Sequence, residues 1–129
     1  MTASRWVLAL ALAAFFVFMG VQKFGAENVI FATIANRSGI ALFEPVIRMI
    51  VGASELLSAA LLVWPKMRRH GARLAILILL GAIGFHLSPW LGLNVPGMGM
   101  SLFMMAVAAL LLAISVTWLE RKAARTEQA

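Results

Sequence analysis

The chain has 129 residues, 63% hydrophobic and 12% charged, with a mean hydropathy of +0.96, against roughly 45–50% apolar and about 25% charged in soluble domains. A helical membrane crossing takes about 20 apolar residues, so this length supplies at most about four or five spans and leaves no room for a separate soluble catalytic domain. The formal charge of +6 comes with no cysteine, which excludes disulfides, thiolate metal sites and thiol redox chemistry within the chain.

The first apolar run, Trp6 to Phe24, exits through Gly20-Val21-Gln22-Lys23-Phe24, and that exit offers no small-x-small cleavage site. It reads as a retained span over 6–24 and not as a removed secretory signal. Residues 25–44 are too long for a tight turn and too apolar for a solvated loop. Glu27, Asn28, Asn36 and Arg37 are polar there while Ile30, Phe31, Ile34 and Ala35 are not. This predicts a short helix in the outer interface, lying over the bundle like a lid, before an Asn36-Arg37-Ser38-Gly39 turn; an irregular segment against the bundle is the plainer alternative. The second span is expected over 45–64, with Pro45 in its first turn and Pro65 as its stop. The third runs over 74–90, with Pro89 near its end, and a Pro- and Gly-rich loop from Leu93 to Gly99 follows. The fourth runs over 100–119 and leaves a tail over 120–129. The expected fold is all-α: a single four-transmembrane-helix bundle with an interfacial segment between its first and second helices. Ala9 and Ala13, Gly81 and Gly84, and Ala109 and Ala113 are the small residues expected where helices approach closely.

Arg5, then Lys66, Arg68, Arg69 and Arg73 between the second and third spans, then Arg121, Lys122 and Arg125 place eight of the eleven basic residues on one side. Positively charged short loops stay inside, so both termini are predicted cytoplasmic. The basic loop reads as a topology determinant and a partner for lipid headgroups, not as a nucleic-acid surface. Trp6, Trp64 and Trp118 fall at inner helix ends and Trp90 at an outer one, as in an aromatic belt, with no cofactor role.

Charged groups at membrane depth are costly and usually pair, face the bundle interior and mark function. Four residues meet that description: Lys23, Arg48, Glu55 and His86. Glu44, Arg48 and Glu55 recur at helical spacing with Gly52 and Ser58 near the same stripe, so one face of the second helix is polar. At 1.5 Å per residue, Glu55 lies about 15 Å below the start of its helix and about 13 Å from the inner face, with His86 at about 18 Å. Lys23 and Arg48 come out at about 26 Å and 24 Å, as an outer tier. A polar cavity open to the outside satisfies all four, with Glu55 and His86 as candidate proton-exchanging groups and all four as candidate ligand-binding groups. A buried ion pair that only fixes helix register is the alternative. Met98, Met100, Met104 and Met105 gather at the outer start of the fourth helix. Flexible thioethers make adaptable apolar walls for a flat lipophilic ligand such as a quinone, and equally serve as ordinary filling.

On Gly20-Val21-Gln22-Lys23-Phe24, on Gly52-Ala53-Ser54-Glu55-Leu56-Leu57 followed by Leu61-Leu62, and on His86 late in the third helix, the chain resembles the DoxX superfamily of small four-helix membrane proteins, including its YkgB-RclC-like branch. The resemblance extends over nearly the whole chain. It implies a bacterial inner-membrane bundle, in some members the membrane subunit of a thiosulfate:quinone oxidoreductase and in others linked to redox-stress resistance, with Lys23, Glu55 and His86 lining the site. Without cysteine, sulfur chemistry would reside in a soluble or membrane redox partner. Bis-histidine haem is not expected, because His70 falls in the inner loop and His86 in the outer half, and no metal site is expected. Three functions stand open at this level: a quinone-interacting redox subunit that is not an autonomous enzyme, a non-enzymatic scaffold or assembly factor for a membrane partner, and a small proton-coupled carrier using Glu55. Self-association is open as well.

Overall fold

Inside a bilayer each backbone N–H and C=O must find its partner within the segment, so long apolar runs fold as helices. The computed structural model describes residues 2–25, 28–95 and 97–128. Among them it forms α1 Thr2–Gln22, α2 Val29–Ser38, α3 Val46–Val63, α4 Arg68–His86 and α5 Ser101–Gln128, with a 3-10 turn Ala41–Phe43 ahead of α3. The stretches Ala3–Gln22, Ala41–Val63 and Ser101–Glu127 are long and apolar enough to cross a membrane, the architecture of a multi-pass membrane protein. α4 is of similar length, but its first turns carry Arg68, Arg69, His70 and Arg73.

The long helices close a ring in which α1 packs on α3, α3 on α4, α4 on α5, and α5 back on α1. Its core joins Leu12 and Phe16 of α1, Ala59 and Leu62 of α3, Ala75 and Leu79 of α4, and Ala109 and Ala113 of α5. Outward-facing Val7, Phe18, Leu77, Leu80 and Leu111 coat the outside. In water such a coat would be an aggregation surface, whereas in lipid it is the solvent-facing side.

α2 occupies the segment for which a lid helix was expected. The Asn28 side chain caps it by accepting from Ile30 N–H at 3.0 Å, and Gly39, at φ 76°, ends it in the left-handed conformation that glycine adopts without penalty. Asn36, Arg37 and Ser38, expected in a turn, are instead its last residues. Its inner face buries Phe31 and Ile34 against Phe43, Leu91, Val95 and Leu102, which roofs one end of the ring. Ala26, Glu27 and Pro96 lie outside the described residues.

Four helix limits differ from expectation by four residues or more, and one of them is the start of α1, at Thr2 and not at residue 6. α4 begins at Arg68, not at residue 74, because nothing between them breaks a helix. It ends at His86, not at residue 90; the Leu87 N–H closes on Ile83 O, Ser88 Oγ donates to Phe85 O at 2.6 Å, and Pro89 then disfavours further helical backbone. α5 continues through the expected tail because Glu120-Arg121-Lys122-Ala123-Ala124-Arg125 are strong helix formers. Arg68, Arg69 and Arg73 are therefore helical residues and not loop residues.

The close helix approaches are not where small residues alone placed them. Ala9, Ala13, Ala109 and Ala113 are buried as expected, but Gly81 and Gly84 are exposed, and a Cβ added at either meets nothing within 4 Å. The tight seams are Gly20 against Gly52, joining α1 and α3, and Gly71 against Leu61 and Leu62, joining α3 and α4. A Cβ at Gly52 would lie 2.8 Å from the Lys23 Cβ and 3.2 Å from Gly20 O. Gly52→Ala is therefore expected to cost about 1–3 kcal/mol by overpacking. Gly84→Ala should be neutral or stabilising by up to about 1 kcal/mol. Reversible unfolding of the two variants in mixed micelles checks the contrast, and equal stabilities would refute it.

Candidate functional site

Lys23 is the first residue past α1, and a side chain at that position leans back along the helix toward its N-terminus. Its Nζ accordingly reaches down one turn to donate to Met19 O at 3.3 Å, and lies 2.7 Å from Glu55 Oε1. The Lys23–Glu55 contact is an ion pair, and both side chains are almost wholly buried. The Gly20–Gly52 seam makes this geometry attainable, since it brings the end of α1 against the α3 backbone one turn before Glu55. The expectation that Lys23 stands in an outer tier with Arg48 is thus corrected: counting backbone rise located its Cα and missed where a four-carbon stem carries the charge.

Arg48 does something else. Its Nε donates to Glu44 Oε1, and its Nη1 donates to the carbonyls of Lys23 and Gly25, the latter at 2.8 Å. A cation on the last carbonyls of a helix satisfies groups that have no partner within it. Arg48 therefore ties the end of α1 to α3 and is not on the cavity wall described next.

Above the core the ring encloses a cavity of about 250 Å³. Its polar lining comes from Lys23, Ser54, Glu55 and His86, and its apolar lining includes Phe15, Met19, Phe31, Ile34, Phe85 and Met105. Three of the four candidates thus share one wall system, roofed by α2. His86 Nδ1 lies 3.0 Å from Gly92 O. A carbonyl only accepts, so Nδ1 carries the proton and Nε2 is the nitrogen that a neutral ring offers as a base. The edge of the ring is also braced by Phe103, at 5.7 Å between centroids. Ser54 Oγ donates to Ile50 O at 2.9 Å, which leaves its lone pairs to accept. Of the four clustered methionines only Met105 reaches the cavity; Met98, Met100 and Met104 are exposed on the outside.

The sequence reading missed a second polar cluster at the opposite end of the bundle. Glu120, expected in a tail, is buried on α5, and Arg5 grips it with Nε on Oε2 at 2.9 Å and Nη2 on Oε1 at 3.0 Å. Arg68, assigned to a basic loop, is 1% exposed. Its Nε donates to Leu62 O at 2.7 Å, its Nη1 stands 3.8 Å from Glu120 Oε2, and its guanidinium lies 4.2 Å over the Trp6 ring. Lys66, Arg69 and Arg73 remain exposed. The signal was periodicity: Ala109, Ala113, Val116, Glu120 and Ala123 repeat at intervals of four and three, as do Arg68, Ala72, Ala75 and Leu79, so both charges sit on core stripes.

Among known proteins, no family model matches the chain, and no curated protein and no solved structure matches it either.

Proposed function

We propose that this protein is a quinone-interacting membrane subunit of a redox or stress-resistance system, of the DoxX-like kind that its sequence resembles. In this reading it lies in a bacterial inner membrane as four spans, with α4 as the third and α5 as the fourth, both termini inside and the basic ends of α4 and α5 among lipid headgroups. The carrying observation is the cavity itself: about 250 Å³, largely apolar, with a cation, a carboxylate, a hydroxyl and an imidazole on its wall. An apolar cavity of about 150 Å³ holds benzene, so a substituted single-ring headgroup suits this one.

A bound quinone supplies two-electron, two-proton chemistry, and a partner protein, soluble or membrane-bound, delivers the electrons. Lys23 offers N–H donors to a carbonyl oxygen. Ser54 offers an acceptor to a hydroxyl. Glu55, paired with Lys23, and His86 through Nε2 are the groups that hold and pass protons. The carrier alternative is less well supported, since an exchanging carboxylate in a carrier should be open to its substrate, and Lys23 stands 2.7 Å from this one.

The test is saturable binding of a decyl-tailed benzoquinone to the purified full chain in nanodiscs. Glu55→Gln should weaken it at least tenfold, about 1.4 kcal/mol. Absence of both saturable binding and copurified quinone overturns the reading; a stable protein partner without a bound small molecule then favours the scaffold.

A further inference from the structure

We propose that the cavity opens sideways into the membrane through a cleft between α3 and α4, and that its ligand is an amphiphile whose ring lies inside while its hydrocarbon tail leaves through that cleft. The ligand class rests on the quinone reading above; the opening rests on geometry alone.

α3 and α4 run antiparallel, and each turns one continuous face to the other. On α3 that face is Leu61, Ser58, Ser54, Val51 and Ile47, and on α4 it is Gly71, Leu74, Ile78, Gly81 and Phe85, both at alternating intervals of three and four. At one end the faces touch at backbone distance: Ser58 Oγ donates to Gly71 O at 2.9 Å, and a Cβ at Gly71 would lie 2.8 Å from Leu62 N. About 15 Å further along α4, at 1.5 Å per residue, a Cβ at Gly81 would meet nothing within 4 Å. Ser54, Val51 and Ile47 on one side and Ile78, Gly81 and Phe85 on the other line the cavity there. The two helices splay from a closed base to an open mouth.

The neighbouring boundaries are shut. Gly20 and Gly52 close α1 on α3, Phe31 and Ile34 roof the outer end, and the His86–Phe103 contact braces α4 against α5. Leu77, 68% exposed, and exposed Gly81 both belong to the cavity wall, so the wall is continuous with the apolar outer surface of the bundle at the depth where lipid chains lie. A volume of about 250 Å³ holds a ring and leaves no space for a long tail. The tail then lies along the cleft, where the apolar mouth matches it, and the polar groups remain at the ring.

The chain has no cysteine, so Ser54→Cys introduces one thiol just inside the mouth. In proteoliposomes an N-alkyl maleimide dissolved in the bilayer should modify it at least tenfold faster than a sulfonated maleimide in the water. Adding Gly81→Leu should slow that modification at least tenfold, while Gly81→Ala and Gly84→Leu leave it unchanged. Failure of the alkyl reagent to react, equal reaction of the charged reagent, or no effect of Gly81→Leu overturns the lateral opening. In the chain without the added thiol, Gly81→Leu should weaken the decyl-tailed benzoquinone at least tenfold and the tailless dimethoxy-methylbenzoquinone less than twofold. Gated labelling with no binding of either benzoquinone leaves the opening standing and removes the quinone identity. Binding of both, unaffected by Gly81→Leu, does the reverse.

Discussion

Glu120→Gln is expected to destabilise the folded bundle by about 3–5 kcal/mol, the cost of leaving a buried charge without its counter-ion. Arg5 is partly exposed and can retract its guanidinium toward water or headgroups when the carboxylate is gone. Arg68 has no such exit: it is fully buried, its Nε is committed to Leu62 O, and its Nη2 has no hydrogen-bond partner among the described residues. What compensates its charge is Glu120 Oε2 at 3.8 Å and the face of Trp6. A desolvated cation–π contact is worth about 2 kcal/mol or somewhat more, against a penalty of several kcal/mol for burying the ion, so it does not hold the guanidinium alone. The single Arg68→Met change should cost less than Glu120→Gln, because Arg5 still holds the carboxylate through two parallel hydrogen bonds. Combining Arg68→Met with Glu120→Met should recover most of the loss, since a buried ion pair replaced by apolar side chains of similar volume is often neutral. Reversible unfolding in mixed micelles measures all three. A Glu120→Gln variant within about 1 kcal/mol of the unmodified protein would show that the network carries no net stability, as many partly exposed ion pairs do not.

That network also marks the boundary of what the sequence discloses. The long apolar runs announce the all-helical architecture, because a continuous run of about 20 apolar residues has the length of a helical crossing and satisfies its own backbone in lipid only as a helix. The start of α4 and the end of α5 are hidden when the basic clusters at residues 66–73 and 121–125 are read as loop and tail. Charge sets topology, but it does not stop a helix, and Arg68 shows that a guanidinium at the end of a core stripe is drawn inward when a carboxylate waits there. At the cavity, backbone rise ordered Lys23, Arg48, Glu55 and His86 by depth but not by partner. Lys23 reaches a turn back to Glu55, Arg48 turns to the carbonyls that end α1, and His86 is held by Gly92. Composition named Gly81 and Gly84 as contact residues, yet which face of α4 meets α3 depends on register fixed by Gly71. The methionines show the same limit, since only Met105 of the outer four is turned to the cavity.

Whether the Lys23–Glu55 pair serves a ligand or only fixes the register of α1 on α3 is decided by removing both charges together. Either single substitution confounds the two roles, because it leaves one buried ion uncompensated and so disturbs the fold as well as the cavity. Lys23→Met with Glu55→Met keeps the length and much of the volume of each side chain and removes the desolvation problem for both. The Gly20–Gly52 seam, the Arg48 clasp on the α1 carbonyls and the apolar core are untouched by it. The double variant is therefore expected to unfold within about 1 kcal/mol of the unmodified protein, or above it. Its binding of the decyl-tailed benzoquinone should nevertheless fall at least tenfold, about 1.4 kcal/mol, since the wall then retains only Ser54 and His86 to meet two ring oxygens. A double variant that is stable and still binds at full strength assigns the pair to register and moves the chemistry to His86. One that loses several kcal/mol of stability shows that the pair holds α1 in place beyond what Arg48 and the glycine seam supply.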